Sequence, residues 1–223
     1  MQNRAKEKKR RGPGRPEKNH LQGDVALLRA GQTAFSRHGF EGASLRQIAA
    51  SAGVDPALAA HHFGSKEALW RAVIERMSES LVILVPELRE LQRQRQVPIR
   101  VRLEKALRQL VSATCNEPEL GMLISRICAE KGEKLDFLIE KLLRPYHDAF
   151  RPLLLEAMEA KVIARQPVEV LYFMLLHAVA MTISYRHILE YFGEQLEELE
   201  RLKAAMTHCV LATFFGKYTE AVS

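Results

Sequence analysis

The sequence predicts an all-α protein, with a small N-terminal three-helix unit built around a helix-turn-helix and a larger C-terminal helical domain. Three observations carry this. Apolar residues recur at helical spacing, and no stretch shows the alternation of a strand. Prolines and glycines cut the periodic text into helix-sized pieces. The segment from Ser44 to Pro56 spells out two short helices and the turn between them almost residue by residue.

The elements follow in order. Leu21, Val25, Leu28 and Phe35 share one face of a first helix that ends near His38, with Gly39 as its cap and Phe40 packing back. Ser44, followed three residues later by Gln47, is a capping-box signature. Leu45, Ile48, Ala49 and Ala52 then fall on one face, and Gly53 supplies the positive φ that ends the helix. Asp55 caps the next helix and Pro56 takes its first position, where a missing N–H costs nothing. Such a pair can place its second helix in a DNA major groove, so double-stranded DNA is the expected partner. Ser65 opens a long helix through Leu69, Val73 and Met77. Further helices are predicted near 65–94, 98–114, 118–131, 135–143, 145–161, 167–192 and 194–216. Pro86 should kink the long linking helix, and Pro145 and Pro152 should break or start turns. The domains read as a disordered basic arm (1–20), a DNA-binding helix-turn-helix domain (21–77) and a helical domain (78–223), the last long enough for its own core.

Charge sharpens the DNA reading. The first twenty residues hold eight basic side chains against Glu7 and Glu17, a surplus equal to the +6 of the whole chain. The arm lacks apolar periodicity and should order only on a polyanion. Within it, Arg11-Gly12-Pro13-Gly14-Arg15-Pro16 resembles the Gly-Arg-Pro core of AT-hook segments, which lay an arginine in the minor groove. A nonspecific arm acting through counterion release accounts for the same residues equally well.

Other classes lose ground. The arm has no apolar segment behind its charges and is not a secretory signal. The longest apolar run, Val170 to Tyr185, contains His177 and falls short of the roughly 18 residues of a membrane span. Cys115, Cys128 and Cys209 fit reduced, mostly buried thiols of a cytoplasmic protein. No phosphate-binding glycine loop, metal-ligand spacing or nucleophile elbow occurs, so neither an enzyme nor a cofactor is expected. His61 and His62 are adjacent and point about 100° apart on a helix, which argues against a metal site.

Residues 21 to 77 resemble the N-terminal domain of TetR-type transcriptional regulators. The resemblance rests on Ala34-Phe35, Gly39-Phe40, Ser44-Leu45-Arg46-Gln47-Ile48-Ala49, Ala52-Gly53-Val54 and Phe63-Gly64-Ser65-Lys66-Glu67-Ala68-Leu69, in that order. It implies that Arg46 reaches a base edge or phosphate, and that Ser44 and Lys66 meet phosphates beside helix N-termini. The recognition helix, about Pro56 to His62, departs from the family pattern. Ala60 stands where the family most often has a tyrosine that grips the backbone, and Ala59 replaces a larger aliphatic residue. Pro56, Ala57, Leu58, His61 and His62 are left to touch DNA. Methyl and imidazole contacts give little bidentate readout, so more of the recognition should fall on Arg46 and the arm.

The resemblance further implies a homodimer through the last two long helices, where Leu196, Leu199, Leu202, Met206 and Val210 form a stripe and 170–183 is apolar nearly all round. It also implies a small effector among the middle helices. Tyr146, His147, Tyr172, His177 and Tyr185, set in apolar text with Thr182, are the candidate liners, though each taken alone reads more readily as a satisfied core or interface residue. Their surroundings favour an apolar or amphipathic effector. The expected function is thus a dimeric DNA-binding regulator, most often a repressor in this family, released by that effector. The alternative is an architectural DNA-binding protein that uses the arm without an effector.

Overall fold

A computed structural model describes residues 18–129, 131–192 and 198–216, and every regular element among them is helical. The first helix, α1 (Lys18–Gly42), loses helical geometry at Gly39, where φ is 71° and ψ 178°. Phe40 folds back there, stacked on Phe35 at 6.1 Å and edge-on to Trp70 at 6.3 Å. The buried seam of α1 is Leu27, Gly31 and Phe35. Val25, expected on that face, is 46% exposed. The side chain of Gly31 is missing where α4 crosses, with Val73 only 3.1 Å from the place a Cβ would occupy. This close approach, rather than the apolar count along α1, sets the rotation of the helix.

Helices α2 (Leu45–Ser51), α3 (Pro56–Phe63) and α4 (Lys66–Val82) complete the N-terminal unit. The long helix expected over 65–94 divides, because α5 (Val85–Arg93) starts afresh with Pro86 in its first turn. Pro86 has no amide to offer the carbonyl four residues back, and its ring crowds that carbonyl. After α6 (Ile99–Asn116) and α7 (Leu120–Cys128) come α8 (Glu133–Leu138), a π turn (Ile139–Leu143) and α9 (Arg144–Glu159). Pro145 and Pro152 do not break this stretch. The wider π turn ahead of Pro145 absorbs the missing bond, and Pro152 lies on the exposed side of α9, where water can serve the carbonyl left over. Helix α10 (Val168–Ser184) ends at Tyr185, short of the expected 192, and is followed by α11 (Arg186–Leu189) and a 3₁₀ turn (Glu190–Phe192). The last helix is α12 (Leu199–Phe215).

Helix α1 packs on α4 and α7, so the N-terminal unit rests directly on the second domain. An apolar cluster of Leu27, Phe35, Trp70, Val73 and Met77 continues into Leu123 and Ile127 of α7 and Leu138 of α8. Polar ties flank it. Arg126 donates to the carbonyls of Ser36 (2.7 Å) and Arg37 (2.8 Å), and Thr33 donates to Glu119. A second cluster joins α5, α6, α9, α10 and α12. At its edge the buried Arg102 donates to the carbonyls of Val97 and Leu91 and grips the carboxylate of Glu156 with two nitrogens.

Candidate nucleic-acid interface

The local chemistry of α2 and α3 positions the interface. Ser44 sits extended, and its Oγ accepts the amide of Gln47 at 3.2 Å while donating to that residue's side chain at 2.7 Å. Gly53 adopts φ +66°, which turns the chain between the helices. Asp55 accepts the amide of Ala57 at 2.7 Å, with Pro56 in the first turn. Ile48, Ala49 and Ala59 are buried against the core. Their burial turns Arg46, Gln47, Pro56, Ala57, Ala60 and His61 outward as one exposed surface. The small Ala59 lets α3 lie close to its neighbours, so the departure from a larger aliphatic residue is absorbed by packing. Arg46 has no partner among the described residues and is free to reach outward.

Two of the expected contacts are held inside the protein. His62 turns inward, its Nδ1 2.8 Å from the Asp24 carboxylate, and so ties the end of α3 to α1 instead of joining the outer surface. Lys66 donates its Nζ to the carbonyl of Phe40 at 2.9 Å and lies 4.2 Å from the centre of that ring. Lys134 of α8 approaches the same ring at 4.0 Å. The first turn of α4 nevertheless stays exposed at Ser65, whose Oγ caps the amide of Ala68 at 3.0 Å. Arg11 and Arg15 lie outside the described residues.

Sequence reasoning missed a basic contribution from α1. Arg29, Arg37 and His38 line an open groove between α1 and α2 together with Thr33, Ser44 and Gln47. Arg29 and Arg37 stand eight residues apart, close to two helical turns, and that spacing was the available signal. Among the described residues no group of three or more His, Cys, Asp or Glu side chains could hold a metal ion, and the rings of His61 and His62 sit 6.0 Å apart in an edge-on arrangement.

The candidate effector residues separate into two sets. Tyr146 and Tyr172 are both buried and both line one small, largely apolar cavity. Burial raises the pKa of both phenols well above the ordinary tyrosine value. His147 instead bonds the carboxylates of Glu169 (2.6 Å) and Asp148 (2.8 Å) at the surface, edge-on to Tyr172. His177 is exposed and turned to the carbonyl of Phe173 at 3.0 Å, and Tyr185 is exposed in a separate groove with Arg37, Arg126 and Arg186. Neither histidine, nor Tyr185, faces the cavity. Of the cysteines only Cys115 is buried; Cys128 and Cys209 are exposed, against the expectation of mostly buried thiols.

The last two long helices also differ from expectation in detail. Leu202 and Met206 of the expected α12 stripe are buried within the chain against α6, Leu199 is exposed, and Leu196 lies outside the described residues. The open apolar surface is on α10 and just beyond it, at Val170, Phe173, Met174, Ile188, Tyr191 and Phe192. No helix among the described residues is long and apolar enough to cross a membrane.

Comparisons with known proteins agree with this geometry. Residues 27–73 match the family described as bacterial regulatory proteins, tetR family. The HTH-type transcriptional regulatory protein RaaS of Mycobacterium tuberculosis is 53% identical over 47 residues, an overlap of 21% of this chain and 22% of that protein. The whole fold resembles HlyIIR, a hemolysin II transcriptional regulator, at 20% identity with a TM-score of 0.60, covering 84% of this chain and 98% of that one. It also resembles a tetR family regulatory protein from Rhodococcus RHA1 (13% identity, TM-score 0.65, 86% and 96% covered) and FadR from Bacillus subtilis in complex with stearoyl-CoA (14%, 0.58, 84% and 97%). At these identities the structural likeness is one of fold. The capped helix-turn-helix thus carries the likeness to the tetR family of bacterial regulatory proteins, over residues 27–73, and the helical second domain shares the fold of these solved structures.

Proposed function

We propose that the protein is a homodimeric repressor that binds a palindromic operator and leaves it when a small apolar or amphipathic effector occupies the second domain. The observation that carries the DNA half is the exposed surface formed by Arg46, Gln47, Pro56, Ala57 and His61, backed by the buried Ile48, Ala49 and Ala59. A helix end of this shape suits a major groove, with Arg46 as its bidentate donor and the capped starts of α2 and α4 facing phosphates. Arg29 and Arg37 extend the basic surface along α1, and Arg11 and Arg15 add an arm that follows the backbone or minor groove. Binding to chromosomal DNA places the protein in the cytoplasm.

The dimer reading is supported by α10. Val170, Phe173, Met174, His177 and Ala178 are exposed at i, i+3, i+4, i+7 and i+8, a continuous stripe on one face of a largely apolar helix. A two-fold partner covering this stripe sets two heads on successive major grooves, about 34 Å apart. The effector reading is supported by the apolar cavity at Tyr146 and Tyr172 and by the ligand of a structural neighbour, stearoyl-CoA in FadR.

Genome-wide mapping of bound sites followed by footprinting tests the proposal. Protection of one or a few near-palindromes, shortened on adding the effector, is the expected result. Broad coating of AT-rich DNA would instead make the protein architectural.

A further inference from the structure

A small cavity of about 20 Å³ lies where α4, α6, α7, the π turn, α9 and α10 meet. Its wall is apolar apart from Thr114, Tyr146 and Tyr172. The Thr114 hydroxyl already donates to the carbonyl of Leu110 at 2.7 Å. The Tyr146 hydroxyl has no partner among the described residues, although the residue is only 4% exposed. A buried donor left unmatched is costly and uncommon, and where one persists it asks for a reason. The π turn Ile139–Leu143 supplies Leu142 and Leu143 to the same wall, and π turns inside helices are rare and gather at functional sites. No Lys, Arg or His lines the cavity. A carboxylate or phosphate placed there would therefore be desolvated without a counter-charge.

We propose that this cavity is the binding site for an uncharged, largely apolar molecule carrying one hydrogen-bond acceptor, such as a medium-chain alcohol or ester, and that the Tyr146 hydroxyl donates to that acceptor. The inference rests on reading the second domain as the effector domain and narrows the effector to neutral compounds. Burial raises the Tyr146 pKa, which keeps the phenol a protonated donor at neutral pH. The cavity as it stands has room for about one water molecule, so the ligand selects a state in which the walls have parted. The seam beside it is suited to that. Gly121 of α7 presses without a side chain on the backbone of Ala180 of α10, and the Ser184 hydroxyl at the end of α10, shared between the carbonyls of Ala180 (2.8 Å) and Pro118 (2.7 Å), ties α10 to the segment just ahead of α7. Two of the walls, α4 and α7, are the elements on which α1 rests, so parting them shifts the support of the DNA-binding unit.

Titration calorimetry on the full chain without DNA tests the site, with 1-octanol, 1-hexanol and octanoate as the probes at pH 8. One 1-octanol per chain should bind, 1-hexanol should bind roughly fifteenfold more weakly for two lost methylenes, and octanoate at least about a hundredfold more weakly. Tyr146→Phe should weaken 1-octanol about tenfold, while the unliganded variant melts at or above the wild-type temperature because an unmatched hydroxyl has gone. Octanoate binding as tightly as 1-octanol overturns the proposal, as does a variant with wild-type affinity. A variant that melts well below wild type does so too, since the phenol would then have a structural role. DNA affinity is measured separately with and without 1-octanol. Tyr146-dependent binding that leaves DNA affinity unchanged upholds the site and removes the effector reading.

Discussion

Replacing Gly121 by alanine probes how tightly α7 and α10 are joined. A methyl group built at Gly121 lands 2.8 Å from the carbonyl oxygen of Ala180 and 3.0 Å from that residue's carbonyl carbon and Cβ. The nearest obstacle is backbone, so no rotamer change relieves it. Carbon–oxygen contacts settle near about 3.3–3.6 Å, and the helices must therefore part by roughly half an ångström. Overpacking of this kind costs about 1–3 kcal/mol. Stretching the Ser184–Pro118 bond adds up to about 1 kcal/mol, and the better helix propensity of alanine returns about 1 kcal/mol. These last two effects offset each other, which leaves a net loss of about 1–3 kcal/mol. In a chain of this length each kcal/mol lowers the melting temperature by about 2–4 °C. Gly23→Ala is the matched control: it lies in α1 with nothing within 4 Å of the new methyl, so only propensity acts and the sign reverses, to a gain of up to about 1 kcal/mol. Urea unfolding of the wild type and both variants, followed by far-ultraviolet circular dichroism, reads the two signs together. A Gly121→Ala midpoint at or above wild type would refute the reasoning.

Three further outcomes are expected. Arg46→Ala should leave stability within about 0.5 kcal/mol, because the side chain is exposed and without a partner among the described residues, yet lower operator affinity by roughly tenfold; an unchanged affinity at every salt concentration removes Arg46 from the interface. The hydrogen bonds from Arg102 hold the Glu156 carboxyl below its ordinary pKa, so the stability contributed by the pair is complete above the ordinary carboxylate value and drains away as pH falls through the depressed folded value. Glu156→Gln should flatten that acid limb in urea midpoints taken from pH 6 downward to about pH 3, and identical limbs in the two proteins contradict the assignment. Deleting residues 1–17 should weaken DNA binding and reduce the slope of log K against log salt by several units, up to about six; an unaltered slope excludes the arm from phosphate contact.

What could be read from the sequence was whatever short-range sterics decide. Ser44, Asp55 and Ser65 cap helices as expected, and Gly39 and Gly53 adopt positive φ at helix ends. These outcomes depend on residues two to four positions apart, and the whole helix-turn-helix is made of them. Tyr146 and Tyr172, chosen as polar rings in apolar text, do meet at one cavity, because each lies on the buried side of its helix, α9 and α10. Periodicity says which side of a helix is buried, however, and not what will face it. His62 and Lys66 stand next to the motif, yet they are engaged by Asp24 and Phe40, some 38 and 26 positions earlier. His147 is taken by Glu169 of another helix. A side chain's reach toward DNA or ligand is thus decided by competition with partners distant in sequence. The same competition explains why Arg46 keeps the strongest claim among the DNA contacts. On α2 it is the one basic side chain, the buried Ile48 and Ala49 fix its direction outward, and no acid or carbonyl among the described residues takes it first.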